Sequence, residues 1–373
     1  MKVAIVHDYL NQYGGAERVL EALHELWPDA PVYTSMYDRK LMKSYGFDDT
    51  GWDIRASFMQ KIPMRASLPR SYLTFLYPQA FASFDLRGYD VIISSSSYAS
   101  KNITKPSGSI HICYCHTPPR FLYGFDQETT LADMTWWEKL ASRVFIPYLR
   151  SLDQQAAQAV DFFIANSVVV QKRIKMIYKK DALVIYPPVD TQRFEKKQQL
   201  SKEIDKPYFL VISRLGEYKR VDLVIEAFNK LGTPLKVIGT GPRLSHLKSL
   251  AQANIEFLGR LSDEETTAYL QNAEALIFPT EEDFGITPVE ALAAGKAVIA
   301  YKGGGALETL DQKTALFFSP QTAQALVEAV KNFDPSLYNP YTSKKRASKF
   351  SRELFKTSLR KFVEDNLKSD EHK

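Results

Sequence analysis

The chain has 373 residues, enough for two domains that each bury a core. Hydrophobic residues make up 45% and charged residues 24% of the chain, which excludes a disordered protein and a collagen-like repeat. The 48 basic and 43 acidic residues give a net charge of +5. That charge suits an anionic ligand or membrane surface but does not by itself indicate nucleic-acid binding.

The two cysteines are too few for a disulfide scaffold, so we expect a reducing compartment. The longest promising uncharged run, 71–84, has 14 residues and contains Pro78, whereas a membrane-spanning helix needs about 20. The apolar run 3–6 is interrupted at once by His7 and Asp8, unlike a signal peptide. These patterns predict a cytoplasmic protein.

Short apolar runs alternate with helical patterns along the chain. Continuous apolar runs of four to seven residues are typical of parallel strands buried on both faces, and their alternation with helices predicts βαβ units. In the first half, strands are predicted at 3–6, 90–94, 109–115, 161–165 and 183–186. In the second half, they are predicted at 208–213, 235–238, 255–258, 275–278 and 297–300.

The segment 187–207 is the expected boundary between two α/β domains. Pro187 and Pro188 end a strand, and a charged, polar stretch follows before the strand pattern resumes. We therefore assign 1–188 to a first Rossmann-like domain and 205–341 to a second. Helices are predicted at 219–231, 262–272 and 342–367.

Two basic residues follow the strand predicted at 208–213. Arg214 and Lys219 lie five positions apart in a loop that leads into a helix. Ligands of open parallel sheets bind beyond the carboxyl ends of the strands. A planar guanidinium and an ammonium group beside a helix N-terminus can hold a pyrophosphate. The alternative is a solvated basic loop, because charged side chains usually stay at the surface.

An acidic segment follows the strand predicted at 275–278. Glu282 and Glu290 are separated by seven residues, and Gly285 between them permits a sharp turn before a helix. Carboxylates accept hydrogen bonds from hydroxyls, and the amides of a helix N-terminus attract anions. Together they suit a sugar that carries phosphate.

Glu290 also has a purely structural interpretation. With Thr287 as N-cap and Pro288 as the first helical residue, Glu290 falls at the third position and completes a capping box. Capping does not account for the three consecutive acids at 281–283.

Three glycine-containing loops also follow predicted strands. Gly14 and Gly15 precede a helix and can form a phosphate-approach loop. Neither this loop nor 239–242 has the three spaced glycines of a dinucleotide-binding motif, which disfavours a dehydrogenase. The triplet 303–305 is either another close-approach loop or a flexible turn.

His116 ends the strand predicted at 109–115, where the chemistry of parallel sheets usually takes place, although a lone histidine is more often structural. Cys113 and Cys115 are close in sequence, but strand alternation places them on the face opposite His116. Because no fourth ligand is evident, we predict no metal site.

Taken together and in this order, the motifs resemble those of the retaining glycosyltransferases of family 4. Glu282 to Glu290, in the form EDFGITPVE, is similar to the family's E-x7-E motif, and Arg214 with Lys219 is similar to its R-x4-K pair. The phrases HDYLNQYGGAERVL, YCHTPPR and IYPPVD most resemble bacterial mannosyltransferases that build O-antigens, capsules or exopolysaccharides. The resemblance implies the GT-B architecture, an α/β fold of two facing Rossmann-like domains with parallel sheets and an interdomain cleft.

The resemblance implies which residues hold the nucleotide of the donor. Arg214 and Lys219 would bind the diphosphate and stabilise it as it leaves, and Glu290 would bind the ribose hydroxyls. Gly14 and Gly15 would let the first loop approach the phosphates.

The resemblance also implies which residues hold the donor sugar. Glu282 would bind it together with the backbone groups of Phe284, Gly285 and Ile286, and His116 would contact it from the first domain.

The implied reaction is a metal-independent, cofactor-free transfer of mannose from GDP-mannose to a lipid-linked oligosaccharide, with retention at the anomeric carbon. A UDP-sugar donor is an alternative, as is an epimerase or phosphorylase on the same fold. The resemblance assigns acceptor binding to 1–188 and nucleotide-sugar binding to 205–341, and it implies that the C-terminal helix, about 342–373, packs back on the first domain. Nucleic acid is not an expected partner.

The segment 54–84 contains no acidic residue, and its basic residues are interleaved with aromatic and aliphatic ones. This composition suits the interface of an anionic membrane, to which the enzyme would bind peripherally. The alternatives are a helical subdomain with a basic outer face and, for the whole chain, a non-enzymatic module that binds anionic lipid. The basic residues are Arg55, Lys61, Arg65 and Arg70.

Overall fold

A computed structural model describes residues 1–62, 73–125, 136–199 and 206–370. The chain divides into two compact units, Met1–Pro188 with Phe355–Lys373, and Val189–Leu354. Each unit contains a parallel sheet flanked by helices, so the predicted pair of α/β Rossmann-like sheets is confirmed. No helix in the described ranges is both long and apolar enough to cross a membrane.

The first unit is built on a sheet of seven parallel strands within the described ranges, in the order β3-β2-β1-β4-β5-β6-β7. Strands β1, β4 and β5 are buried along their whole length, including the three serines that end β4 and the histidine within β5. The strands are β1 Val3–His7, β2 Val32–Thr34, β3 Ile54–Ala56, β4 Val91–Ser96, β5 Ile110–Cys115, β6 Phe162–Ala165 and β7 Ala182–Val184.

Helices cover this sheet, a short 3-10 turn at Phe58–Lys61 follows β3, and another at Thr74–Leu76 leads into a helix. Helix α1 buries Val19, Leu20 and Leu23, the one-sided pattern of an amphipathic helix. The helices are α1 Gly15–Leu26, α2 Arg39–Ser44, α3 Tyr77–Ala82, α4 Arg120–Tyr123, α5 Trp136–Ala159 and α6 Val168–Tyr178.

The second unit repeats the arrangement with six parallel strands among the described residues, in the order β10-β9-β8-β11-β12-β13. Strand β8 lies between β9 and β11. The order in which the chain adds strands to the sheet therefore reverses between β8 and β11, and the loops after these two strands are neighbours. The strands are β8 Phe209–Ile212, β9 Leu235–Ile238, β10 Ile255–Gly259, β11 Ala275–Phe278, β12 Ala297–Tyr301 and β13 Ala315–Phe318.

The helices of the second unit include two whose predicted positions are closely matched, α7 and α9. Ser262 caps α9 and forms a capping box with Glu265. The 3-10 turns lie at Gln192–Phe194, Glu217–Lys219, Pro335–Leu337 and Ser348–Phe350. The helices are α7 Val221–Leu231, α8 Leu244–Leu250, α9 Asp263–Asn272, α10 Ile286–Ala293, α11 Ala306–Thr309, α12 Ala323–Lys331 and α13 Pro340–Ala347.

The C-terminal region differs from the single helix predicted over 342–367. Helix α13 ends at Ala347, and a second helix, α14 Arg352–Asp370, begins after extended backbone at Ser351. This extended backbone pairs with Val189, whose amide donates to the carbonyl of Phe350 at 3.0 Å. Helix α13 packs on α10 within the second unit, so the part that belongs to the first unit begins at Phe355, not at about 342.

Helix α14 contributes to the core of the first unit through one face. Phe355, Leu359 and Val363 lie four positions apart and are almost fully buried beside Ile112 and Tyr114. Burying three such side chains stabilises the unit by about 1.5–3 kcal/mol each.

Candidate active site

The predicted cation and the predicted acid of the second unit are in direct contact. Lys219 follows β8, Glu282 follows β11, and the Lys219 ammonium forms an ion pair with the Glu282 carboxylate. The Thr280 hydroxyl also donates to the Lys219 carbonyl at 3.2 Å. The two side chains are 14% and 24% exposed, so both remain accessible to a ligand. The order of the strands therefore places a charged pair where open α/β sheets bind ligands.

The backbone around Lys219 is held in an uncommon conformation. Arg220 has a φ of 50°, in the left-handed region that a non-glycine residue rarely occupies. Its guanidinium donates to Gln321 at 3.2 Å, and Gln321 donates to the carbonyl of Pro279 at 2.7 Å. Gln321 thus joins the loop after β8 to the loop after β11.

Arg214 lies on an exposed part of the same loop, and the glycines at 239–242 determine how its backbone is placed. A side chain at Gly239 would collide with the carbonyl of Ser213, and a Cβ at Gly241 would lie 2.5 Å from the carbonyl oxygen of Leu215. The Leu215 amide donates to the carbonyl of Thr240 at 2.9 Å. These glycines, which lack a dinucleotide-binding spacing, therefore allow two loops to pack backbone to backbone.

The helix after the acidic segment begins at Ile286, with Gly285 at a φ of 86° as its N-cap. The predicted capping box is therefore wrong: Pro288 is the third helical residue and Glu290 the fifth. Left-handed backbone at Gly285 lets the helix begin at Ile286, two residues before Pro288, the first helical position that the capping pattern indicates. Proline is tolerated at the third position because that amide has no partner within the helix.

The glycine triplet 303–305 packs against the acidic segment. Side chains at Gly304 and Gly305 would collide with the backbone of Glu282 and Phe284, and the Gly305 amide donates to the Glu282 carbonyl at 2.7 Å. Of the two interpretations of this triplet, the structure supports a close-approach loop. Its function is to fix the backbone that carries Glu282.

Glu290 is buried, and its carboxylate accepts a hydrogen bond from Arg193 at 2.8 Å. Arg193 also contacts Asp263 at 3.0 Å. Sequence analysis did not identify Arg193, which lies 97 positions from Glu290 in the segment interpreted as a linker.

In the first unit, His116 belongs to a chain of hydrogen-bonded side chains. Its Nε2 lies 2.8 Å from the Ser95 hydroxyl, which lies 3.1 Å from Nδ1 of His7. His7 Nε2 is 3.6 Å from the Glu17 carboxylate, which accepts the Gly14 amide at 2.7 Å. Burial, with a smaller effect of His7, lowers the pKa of His116 to about 3, so this imidazole is neutral near pH 7.

The two first-loop glycines have no conformational requirement for glycine. Gly14 has a φ of −165°, which is extended backbone open to any residue, and Gly15 is the first residue of α1. Gly14 acts as the N-cap of α1, where the Glu17 side chain accepts its amide.

Asp8, which the sequence did not single out, fixes the loop after β4. Its carboxylate accepts four backbone amides, from Ser97 at 2.5 Å, Tyr98 at 2.9 Å, Ala99 at 2.9 Å and Ser100 at 2.7 Å. Hydrogen bonds to a charged acceptor are the strong ones. They attach this loop to the end of β1.

A second buried charge lies close by. Lys101 and Asp153 form an ion pair at 2.5 Å with both side chains 2% exposed, and the hydroxyls of Tyr123 and Tyr178 each donate to Asp153 at 2.8 Å. Such full pairing is what a buried charge requires.

The two cysteines that were considered as metal ligands are buried thiols. Cys113 and Cys115 are buried, and burial raises the pKa of the Cys113 thiol to about 12. Within the described ranges, no three His, Cys, Asp or Glu side chains are grouped as a metal site would need.

The basic–aromatic segment 54–84 is described only in part, since 63–72, with Arg65 and Arg70, lies outside the described residues. Arg55 pairs with Asp53 at 2.6 Å and donates to the Tyr33 hydroxyl at 2.8 Å. Some of its apolar residues, including Met59, Leu73 and Tyr77, belong to the core. Phe58 and Phe75 are each 43% exposed.

Comparison with known proteins agrees with this geometry. Residues 192–339 match the family described as Glycosyl transferases group 1. An alpha-1,3/1,6-mannosyltransferase of Dictyostelium discoideum is 26% identical over 404 residues, covering 92% of this chain and 91% of the relative. A GDP-mannose-dependent alpha-(1-6)-phosphatidylinositol monomannoside mannosyltransferase of Mycobacterium tuberculosis is 28% identical over 213 residues, covering 50% of this chain and 55% of the relative.

Among solved structures, sucrose-phosphate synthase from Thermosynechococcus elongatus superposes with a TM-score of 0.77 at 16% identity. The match covers 99% of this chain and 100% of that one, so the fold is shared over its whole length. The chain is therefore a glycosyltransferase with the GT-B fold, and it carries a Glycosyl transferases group 1 domain.

Proposed function

We propose that this glycosyltransferase moves mannose from GDP-mannose to a lipid-linked oligosaccharide during the synthesis of a surface polysaccharide, with retention of the anomeric configuration. The observation that carries the proposal is the contact between Lys219 and Glu282, which lie in the two loops where the strand order of the second sheet reverses. A diphosphate and a sugar hydroxyl need a cation and a carboxylate side by side, and these two residues supply both.

In the proposed reaction, Arg214 and Lys219 neutralise the charge that develops on the diphosphate as the bond to the sugar breaks. Arg214 is exposed and presents a planar fork, while Lys219 supplies a compact charge on the same loop. The amides of Ile286 and Thr287, at the start of α10, add partial positive charge. These groups stabilise the leaving group electrostatically, and the proposal assigns no part of this to a metal or other cofactor.

Glu282 holds hydroxyls of the donor sugar in this proposal, next to the backbone of Phe284, Gly285 and Ile286. The glycine packing described above keeps that backbone in place, so the carboxylate is presented in a fixed position. In the first unit, His116 is a neutral imidazole whose orientation is fixed by the Ser95 hydroxyl.

The relatives support mannose as the transferred sugar. The Dictyostelium relative is named as a mannosyltransferase, and the Mycobacterium relative is named as dependent on GDP-mannose. The name of the latter also includes a phosphatidylinositol glycolipid, which supports a lipid-borne acceptor for this chain. Exposed Phe58 and Phe75 would contribute to peripheral membrane docking.

The proposal is tested by incubating the full chain with GDP-mannose, UDP-glucose and UDP-galactose in separate reactions with a polyprenyl-diphosphate-linked oligosaccharide. We expect transfer from GDP-mannose alone, and an α-linked product in the proton NMR spectrum. Transfer from a UDP-sugar alone would overturn the assignment of the donor. Isomerised donor without transfer would indicate an epimerase, and phosphate-dependent release of sugar phosphate would indicate a phosphorylase.

Membrane docking is tested separately by sedimentation with anionic liposomes at low salt. We expect the chain to bind them and the variant Phe58→Ser with Phe75→Ser to bind less. Equal sedimentation of the two proteins would exclude these side chains from the docking surface.

A further inference from the structure

The Arg193 side chain contacts helices α9 and α10 of the second unit, and the backbone that carries it is anchored. It lies in the 3-10 turn Gln192–Phe194, whose Phe194 side chain is 1% exposed. The Gln271 side chain, on α9, donates to the carbonyl of Phe194 at 3.1 Å. A residue anchored in this way delivers its side chain to a defined place.

The Arg193 side chain joins one buried and one exposed carboxylate. One terminal nitrogen donates to Glu290 at 2.8 Å, and the other lies 3.0 Å from Asp263. Glu290 is 7% exposed, whereas Asp263 is 63% exposed. Exposed ion pairs contribute little, but removing a positive partner from a buried carboxylate is strongly disfavoured. The contact with Glu290 is therefore the consequential one.

We propose that Arg193 is a positioning residue for recognition of the donor ribose. It balances the charge of the buried Glu290 carboxylate and holds one of its oxygens, so that Glu290 meets the two ribose hydroxyls in a single orientation. The inference rests on the proposed function, in which Glu290 binds that ribose. Arg193 itself acts through Glu290 and contacts no reacting atom.

The test compares how the full chain binds GDP and 2′,3′-dideoxy-GDP, by isothermal titration calorimetry. Hydrogen bonds to a charged group contribute about 1.5–3 kcal/mol, so the wild type should prefer GDP by about 10- to 150-fold. In Arg193→Met, the preference should fall to within about 3-fold, while affinity for the dideoxy compound changes little. A merely structural role would instead weaken binding of both nucleotides equally.

Two further variants give the matched comparison. Glu290→Gln should also lose the preference for ribose, and combining it with Arg193→Met should add little, because the two residues act as one unit. Asp263→Asn removes the other partner of Arg193 and should keep the preference. Arg193→Lys retains the charge without the planar fork, so it should fold if the methionine variant does not and should show a reduced preference.

The outcomes separate the two proposals. If the wild type does not bind GDP, the proposed function fails and this inference fails with it. If the wild type prefers GDP over its dideoxy analogue and the Arg193 variants keep that preference, only this inference is overturned. Equal weakening of both nucleotides in Arg193→Lys would likewise overturn it.

Discussion

The centres of the two sheets are arranged alike, but they hold charge differently. In the first unit, β1 lies between β2 and β4, and the loops after β1 and β4 meet at the carboxyl ends. In the second unit, β8 lies between β9 and β11 in the same way. The first arrangement buries Asp8 among four backbone amides, whereas the second leaves Lys219 and Glu282 partly exposed to solvent.

This difference shows that a reversal of strand order brings two loops together at the carboxyl ends of the strands but does not determine what their side chains do. Asp8 is saturated by its own chain and attaches one loop to another, so it serves the stability of the fold. Lys219 and Glu282 pair with each other while both remain partly exposed, and in the proposed function Lys219 binds a phosphate and Glu282 a sugar hydroxyl. Four changes test whether Asp8 serves stability while the site that contains Lys219 and Glu282 serves activity.

The largest effect is expected from Lys219→Ala, which removes the cation that the proposed function assigns to the leaving diphosphate. Loss of one preorganised electrostatic contact costs about 10²- to 10³-fold in turnover, so kcat/KM for transfer should fall by that amount while the melting temperature changes little. Lys236→Ala is the control, since it breaks an ion pair with Glu256 elsewhere in the unit and should leave kcat/KM unchanged. An equal loss in both variants would contradict the assignment.

Asp8→Asn should affect stability instead of chemistry. The amide oxygen of asparagine carries no charge and accepts fewer hydrogen bonds, so the four backbone amides lose most of their stabilisation. We expect the free energy of unfolding to fall by about 3 kcal/mol or more. Urea denaturation measures it, with Asp53→Asn as control, because Asp53 is 56% exposed and its pair with Arg55 contributes about 0–1 kcal/mol. Similar values for the two variants would remove the contrast.

Arg214→Ala should lower kcat/KM by about 10- to 150-fold through loss of one charge-assisted contact to the diphosphate. Arg214→Lys should recover part of the activity, because it keeps the charge but not the fork. Steady-state kinetics with varied donor measures both variants. Wild-type kinetics in Arg214→Ala would remove this residue from the site.

The smallest effect is a pH dependence of stability that comes from two buried histidines of the first unit. Burial lowers the pKa of His111 and of His116 to about 3, below the ordinary value of 6.5, so the fold accepts only the neutral forms. As the pH falls below 6.5, the unfolded chain binds protons that the folded chain does not, and stability is lost progressively towards pH 3.

Variants test this dependence directly. His111→Asn should lose less stability between pH 7 and pH 5 than the wild type, as measured by urea denaturation at both values. His246, on the short helix α8 of the second unit, is exposed, so His246→Asn should keep the wild-type pH dependence. A reduced dependence in His246→Asn would show that the effect is not specific to the buried histidines.

Much of the fold can be predicted from the sequence, because most parallel strands that are buried on both faces contain a short run of apolar residues. All ten predicted strands are present, and three further strands in the described ranges were missed. Strands β2 and β3 have three residues each, and β13 has no β-branched residue. The break between α13 and α14 was also missed, because it depends on pairing between Ser351 and the distant Val189.

Local spacing also identified the charged residues of the candidate site, since Lys219 and Glu282 each follow a strand within a few positions. The residues that hold them could not be found in that way. Arg193, Gln321 and Asp8 act on partners about 40 to 100 positions away, and no local pattern records which distant carboxylate or amide a side chain will meet.

The pairing of Val189 with 350–352 has a consequence for the architecture of the gene product. Because the Val189 amide and the Phe350 carbonyl are 3.0 Å apart, the second unit begins and ends at almost the same point. In sequence, the second unit is an insertion in the first unit. Most of helix α14, which belongs to the first unit, is synthesised only after the second unit. The core of the first unit is therefore complete only after Phe355, Leu359 and Val363 have been synthesised. Truncation before these residues should leave a folded second unit attached to an incompletely folded first unit.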